Sequence, residues 1–325
     1  MSRELARNEF LAQNGLHWGD FGFLAGDASN RKYYRTKPGA SLHCLLMDAP
    51  PSKGEDIRPF VQMATHLRTI SLAAPKVYAA NPTDGFALLQ DFGDTLFFDT
   101  FQTNPALELP YYTRALDVLD HLHTAPPPPG LAAFGPHEMA DVAGLVCDWY
   151  AANTPRPDIT TPLHDTLVRL DWSAPVLVLR DYHAQNLIWR DGHSGLGAVG
   201  LLDFQDAQIG HPYYDAMSLI DDARRDVSPP VRDALLTRVT GGDPAKLLGC
   251  NAISAQRNLR ILGVFARLCI RDGKPHYIDL IPRVWANLQR NLSTPGLGPL
   301  ARACAALPPP TPEYLNWLKT QCPAN

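Results

Sequence analysis

The stretch A-P-V-L-V-L-R-D-Y-H-A-Q-N-L-I-W-R-D-G-H-S-G-L-G-A-V-G-L-L-D-F-Q-D-A-Q-I-G-H-P-Y-Y-D-A-M-S-L, residues 174–219, breaks the helical patterning around it. Residues 176–179 form a short apolar run of strand character that ends at Arg180 and Asp181. Asn186 lies five residues beyond that aspartate, and Leu187–Trp189 is a second short strand. R-D-G-H-S-G-L-G makes a turn, and residues 199–202 form a third strand that also ends in an aspartate, Asp203. Two carboxylates at strand ends with a nearby Asn suit Mg²⁺ and acid–base chemistry. A hard cation of this size takes oxygen ligands, commonly one or two carboxylates plus substrate phosphates. Asn adds a neutral carbonyl, and one aspartate is left to accept a proton from an attacking hydroxyl.

Upstream, residues 1–20 carry Leu5, Phe10, Leu11 and Leu16 on a charged, helix-like background. F-G-F-L-A-G (Phe21–Gly26) reads as a strand and G-D-A-S-N as a turn of small polar residues. K-Y-Y-R-T (Lys32–Thr36), with β-favouring tyrosines, is a second strand, and residues 42–48 form a third. Short turns between them predict an antiparallel meander. Helical spacing through Ile57, Phe60, Val61, Ala64, Leu67 and Ile70 comes next, then two strands around N-P-T-D-G. Residues 21–92 therefore predict a β-β-β-α-β-β unit. The rest reads mainly as helix. Leu116, Leu119 and Leu122 share one face, and four prolines from Pro126 stop that helix and form a stiff connector. Met139, Val142, Val146 and Trp149 fit one helix, and further helices are predicted over 231–239, 258–271, 278–292 and 313–319. The fold class is α+β.

Composition narrows the function. The 325 residues are 45% apolar and 19% charged, which suits a globular chain and excludes wholesale disorder. The formal net charge of −4 lacks the basic excess of a nucleic-acid binder. Thirty prolines predict many loops and helix stops. No apolar run approaches 18 residues, and the charged start M-S-R-E-L-A-R-N-E-F lacks an apolar secretory segment. The six cysteines are scattered without a C-x-x-C, which argues against a zinc cluster and lends little support to a disulfide framework. A reduced, cytoplasmic protein with no membrane or nucleic-acid partner is expected, and a monomer is the default.

Three motifs in order resemble the aminoglycoside phosphotransferase family. D-Y-H-A-Q-N (181–186) is similar to its catalytic loop, L-L-D-F-Q-D-A (201–207) to its metal-binding motif, and G-H-P-Y-Y-D-A (210–216) to the element that follows. The resemblance covers nearly the whole chain. It implies a two-lobed, protein-kinase-like fold: a small β-rich N-lobe over residues 1–92 and a larger, mainly helical C-lobe over 93–325. ATP and Mg²⁺ would bind between them. R-D-Y-H-A-x-N-L, G-D-A-S-x-R-x-Y-x-R, L-M-D-A-P-P and D-A-R-R-D-V make the chain most similar to the bacterial anomeric amino-sugar kinases. Those enzymes phosphorylate the C1 hydroxyl of N-acetylmuramate and N-acetylglucosamine in cell-wall recycling.

The resemblance assigns roles. Asp181 would be the base, with Asn186 and Asp203 holding Mg²⁺. Gly26, Asp27, Ala28, Ser29 and Asn30 would form the phosphate loop, with backbone N–H groups and the Ser29 hydroxyl facing ATP. The backbone from Leu89 to Asp91 would meet adenine. His183, Asp206, Arg224 and Arg225 are candidates for the acceptor side, each with a structural alternative. Asp215 is expected to start a helix and brace the catalytic loop, and Arg180 to form a buried ion pair.

Several positions depart from the family pattern. Leu179 and Arg180 stand where the family commonly has His and Gly. Met47 stands where strand three normally carries the lysine that grips the α/β-phosphates, so Arg31, Lys32 or Arg35 substitutes for it or the grip is weak. A kinase of another small hydroxyl compound (aminoglycoside, choline or homoserine) and a nucleotide-binding pseudokinase stay open as alternatives.

Overall fold

The structure, a computed structural model, describes residues 2–26 and 30–323. The expected phosphate-loop residues Asp27, Ala28 and Ser29 lie outside the described residues. Helix α1 (Arg3–Gln13) starts at Ser2, whose hydroxyl accepts from the Leu5 amide at 3.3 Å. Then come β1 (Phe21–Gly26), β2 (Lys32–Thr36), β3 (Leu45–Asp48), α2 (Arg58–Thr69), β4 (Val77–Asn81) and β5 (Phe86–Leu89), the order read from the sequence. The five strands form one antiparallel sheet, ordered β1-β2-β3-β5-β4. Alternation along the strands fills two faces. Leu46, Phe86 and Leu88 pack with Phe10 and Leu11 of α1, while Met47, Ala87 and Leu89 join Phe60, Met63 and Leu67 of α2.

Strand β3 starts at Leu45 rather than at residue 42. The Thr36 amide still donates to the Cys44 carbonyl at 3.0 Å, but the Cys44 amide donates to the Thr36 hydroxyl at 2.9 Å, so a side chain takes one of the two ladder bonds there.

The remainder is helical around two short antiparallel strand pairs. In order come α3 (Phe97–Thr103), α4 (Glu108–Thr124), α5 (Pro136–Ala143), α6 (Thr160–Leu167), β6 (Val176–Val178), β7 (Leu187–Trp189), β8 (Val199–Leu201) and β9 (Gln208–Gly210). Helices α7 (Tyr213–Ile220), α8 (Pro229–Thr240), α9 (Pro244–Ile270), α10 (Ile281–Leu292), α11 (Gly298–Cys304) and α12 (Pro312–Thr320) follow. β6 pairs with β9, and β7 with β8, both antiparallel. A backbone bond from the Leu201 amide to the Ala73 carbonyl, 2.8 Å, ties the helical part to the N-terminal unit, and the Trp189 amide donates to the Thr95 carbonyl at 2.8 Å. One hydrophobic cluster runs from Met47 and Leu89 through α4 to Leu177, Leu201 and Met217.

The single helix expected through Met139 and Trp149 is two pieces. α5 ends at Ala143, and Val146–Tyr150 is a π-turn. The physical reason lies across the interface, where Gly263 of α9 abuts the backbone at Leu145. A Cβ at residue 263 would lie 2.3 Å from the Leu145 carbonyl carbon. The cysteine expectation is also corrected. Cys269 at the end of α9 and Cys322 beyond α12 form a disulfide with Cα atoms 5.1 Å apart. Cys44, Cys147, Cys250 and Cys304 are buried thiols. Among the described residues no helix is long and apolar enough to cross a membrane.

Candidate active site

β6 delivers the chain into the loop carrying Asp181, and the loop bends through an uncommon backbone state. Arg180 has φ +72°, a left-handed value that costs a non-glycine residue on the order of 1–2 kcal/mol. Buried partners hold it there. Asp215 of α7, fully buried, accepts from the amides of Leu179 at 2.5 Å and Arg180 at 2.8 Å. Arg257 of α9 donates to the Arg180 carbonyl at 3.1 Å, and Tyr182 donates to the Ala115 carbonyl at 2.8 Å. Asp222 accepts from the Ala184 amide at 3.3 Å. The bracing expected of Asp215 is thus present. Arg180 differs from expectation: in place of a buried ion pair, its guanidinium lies 4.9 Å from the Phe134 ring centroid and reaches the Asp206 carbonyl at 3.4 Å. The Asp206 side chain is exposed.

Asn186 bridges the two aspartates. Its amide nitrogen donates to the Asp181 backbone carbonyl at 2.9 Å and to Asp203 Oδ2 at 3.3 Å. Asp203 also has positive φ, +55°, and its Oδ1 accepts from Gln205 at 2.7 Å. The next residue, Phe204, is fully buried and stacks on Phe60 of α2 at 5.1 Å. Packing on α2 therefore sets where Asp203 points. The Asn186 Oδ1 and the Asp203 carboxylate are hard oxygen donors on side chains that the Asn186 nitrogen holds together.

Asn186, Asp203 and Phe60 line a cavity of about 500 Å³ between sheet and helices, together with Tyr33, Leu45, Leu89 and Phe92. The Asp91 side chain does not face it freely. Arg35 Nε holds Asp91 Oδ2 at 2.7 Å, Arg35 Nη1 holds Asp94 at 2.7 Å, and His43 lies 3.3 Å from Asp91. Arg35, which also lines the cavity, thereby ties β2 to the segment that follows β5. Lys32 is exposed at the start of β2. Arg31 pairs with Glu55 at 2.8 Å.

The acceptor-side residues separate. His183 is buried, and its Nε2 accepts from Arg224 Nη1 at 2.7 Å. Burial, with Arg224 and Arg257 adding repulsion, holds its pKa well below the ordinary value, so it is neutral. Its Nδ1 has no partner among the described residues. Arg225 is removed from the acceptor side. It forms a buried ion pair with Glu108, donates to the Tyr112 hydroxyl at 3.1 Å and lies 4.9 Å from the Phe101 ring. Sequence reasoning missed Glu55, Tyr182, Asp222 and Arg257. For Arg257 a signal existed, a charge amid the otherwise buried positions of a helical run, where a satisfied internal role is the physical expectation.

Residues 20–250 match the phosphotransferase enzyme family. The chain belongs to that family. An N-acetylmuramate/N-acetylglucosamine kinase of Caulobacter vibrioides is 37% identical, the match covering 92% of this chain and 94% of that one. In structure the chain is similar to a choline/ethanolamine kinase family protein from Mesorhizobium loti, with a TM-score of 0.63 at 16% identity, covering 94% of this chain and 99% of that one. It is also similar to an aminoglycoside phosphotransferase in a streptomycin–ATP ternary complex, with a TM-score of 0.58 at 13% identity and coverage of 86% and 98%. These structural likenesses fix the fold of this phosphotransferase as the two-lobed, kinase-like one.

Proposed function

We propose that this phosphotransferase moves the γ-phosphoryl group of ATP to the C1 hydroxyl of N-acetylmuramate or N-acetylglucosamine. The observation that supports the kinase reading is the set Asp181, Asn186 and Asp203, joined through the Asn186 amide, with Asn186 and Asp203 lining the inter-lobe cavity. The acceptor reading rests on the relative from Caulobacter, matched over nearly the full length of both chains.

The donor set fits Mg²⁺. Among the described residues no group of three or more His, Cys, Asp or Glu side chains could hold a metal alone. One carboxylate and one amide oxygen leave phosphates to complete the shell, which is how Mg²⁺ binds in phosphoryl-transfer sites. Asp203 and the Asn186 carbonyl would hold the ion, which neutralises phosphate charge when bound. Asp181 orients the acceptor hydroxyl and takes its proton. The acceptor oxygen forms a bond to the γ-phosphorus as the bond to the β,γ-bridging oxygen breaks, and ADP leaves. The braced loop supplies positioning, the main contribution such sites make. We place Arg224, held against neutral His183, beside the acceptor, where its charge would suit the lactyl carboxylate of N-acetylmuramate.

The test is a coupled ADP-release assay over amino sugars, aminoglycosides, choline and homoserine, with ³¹P–¹H coupling to locate phosphate on the product. A sugar 1-phosphate is expected, with 1-O-methyl sugars inert. Phosphate on C3 or C6 would overturn the anomeric reading, and ATP binding without turnover on any acceptor would mark a pseudokinase. Asp181→Asn is expected to lower turnover about 10²–10⁴-fold with nucleotide affinity retained, the range for a positioned proton acceptor.

A further inference from the structure

A second cavity, of about 320 Å³, adjoins the inter-lobe one, and Gln90 lines both. Its walls come from both lobes. Arg68 lies in the last turn of α2 and Ser71 just beyond it, while Arg190 and Gly197 lie between β7 and β8. Among the described residues, two arginines and no carboxylate line it. A part-buried guanidinium ordinarily has an acidic partner, and these two have none. Arg68 donates to the Ala74 carbonyl at 3.1 Å. Arg190 donates to the Gly197 carbonyl and to His193 Nε2, both at 2.9 Å, and its guanidinium lies 4.5 Å from the Phe92 ring centroid. Neither forms an ion pair among the described residues. Burial and the Arg68 charge both push the Arg190 pKa below its ordinary value. Like charges from two lobes thus converge on one space.

A cation at the end of a helix commonly serves the last carbonyls. Here those carbonyls have other donors. The amides of Ile70, Leu72 and Ser71 donate to the carbonyls of His66, Leu67 and Arg68, and His121 Nε2 donates to that of Ile70 at 2.7 Å. We propose that this cavity is a phosphate-class anion site, in which one oxyanion bridges Arg68 of the N-lobe and Arg190 of the C-lobe. A guanidinium presents paired N–H groups that match phosphate oxygens. Ser71 and Gln90 add neutral donors on the same wall. The lobes already meet here, where the Leu201 amide donates to the Ala73 carbonyl at 2.8 Å. The anion would offset the repulsion at that seam. It would also sit against the inter-lobe site, since Gln90 and the Phe92 ring beside Arg190 both line the larger cavity.

The test is calorimetric titration of the full chain with inorganic phosphate and, separately, with N-acetylglucosamine 1-phosphate. A saturating Mg²⁺-bound, non-hydrolysable ATP analogue is present throughout, so that phosphate positions in the inter-lobe cavity are filled. One anion per chain is expected. Arg68→Gln and Arg190→Gln should each raise its dissociation constant about 10–100-fold, the range for losing hydrogen bonds to a charged group. Arg190→Lys should fall between Arg190→Gln and wild type, because it keeps the charge and loses the paired N–H geometry. Tighter binding of inorganic phosphate would identify the free anion as the occupant, and tighter binding of the sugar phosphate would identify an ester. No saturable heat from either probe at millimolar concentration would overturn the proposal. So would an affinity within about threefold of wild type in both glutamine variants, well under the expected range. If Arg190→Gln does not fold, Arg68→Gln, a change at an exposed residue, decides by the same criteria.

Discussion

Replacing Asp215 by Asn separates what holds the catalytic loop from what stabilises the fold. Asp215 is fully buried and accepts two backbone amides. Burial nonetheless pushes its pKa from the ordinary 3.8 to about 6, over the opposing pull of those two amides and Arg257. A folded pKa above the unfolded one means that the folded state binds the proton more tightly. The group's stabilising contribution is then full below pH ~4 and is lost as pH rises through about 6. Two pKa units correspond to about 3 kcal/mol. The Asn variant mimics the protonated side chain at every pH, so its stability lacks this dependence. Relative to wild type, Asp215→Asn should gain about 3 kcal/mol between pH 4 and pH 7, less a constant cost of order 1–3 kcal/mol for the surplus amide donor. Function should move the other way. The amide has one acceptor oxygen for two N–H groups, so the left-handed turn at Arg180 relaxes. A displacement of about 1 Å at such a site costs on the order of 10²-fold in turnover. Urea denaturation of both proteins at pH 4, 5, 6 and 7, alongside kcat at pH 7.5, measures both effects. A stability difference that is flat with pH, or that favours wild type increasingly as pH rises, would show that the hydrogen bonds and Arg257 outweigh desolvation and would refute the argument.

The two neighbouring arginines should behave as opposites. Arg225→Ala leaves Glu108 buried without its partner and should cost about 3–5 kcal/mol in denaturant unfolding, as breaking a buried ion pair does. Arg224→Ala should cost less, about 1–3 kcal/mol for the buried His183 nitrogen that loses this donor, but raise KM about tenfold for N-acetylmuramate and little for N-acetylglucosamine, since only the former carries a charged partner for its guanidinium. Equal KM changes for both sugars would remove Arg224 from the acceptor site. Gly263→Ala should destabilise by at least about 1–3 kcal/mol, because the added Cβ meets backbone at Leu145 rather than a side chain that can turn away. An unchanged melting temperature would show that the π-turn yields easily.

The sequence by itself determined the elements whose cause is local. Phe21–Gly26 and Lys32–Thr36 were legible because turn residues bound short runs of β-favouring side chains, and α2 was legible from apolar spacing. The Asp181–Asn186–Asp203 set was legible because its members fall within 23 residues, the loop and strand between them leaving little freedom in how they meet. What required the tertiary structure was set by groups distant in the chain. The π-turn at Val146–Tyr150 depends on a glycine on α9. The removal of Arg225 from the acceptor side depends on Glu108, 117 residues away, and the pairing of Arg35 on Asp91 and Asp94, 56 and 59 residues away. Periodicity reports which face of an element is apolar, but a charged side chain has no periodic signature. Its role follows from the partner that packing brings within hydrogen-bond distance, and burial then makes that pairing obligatory.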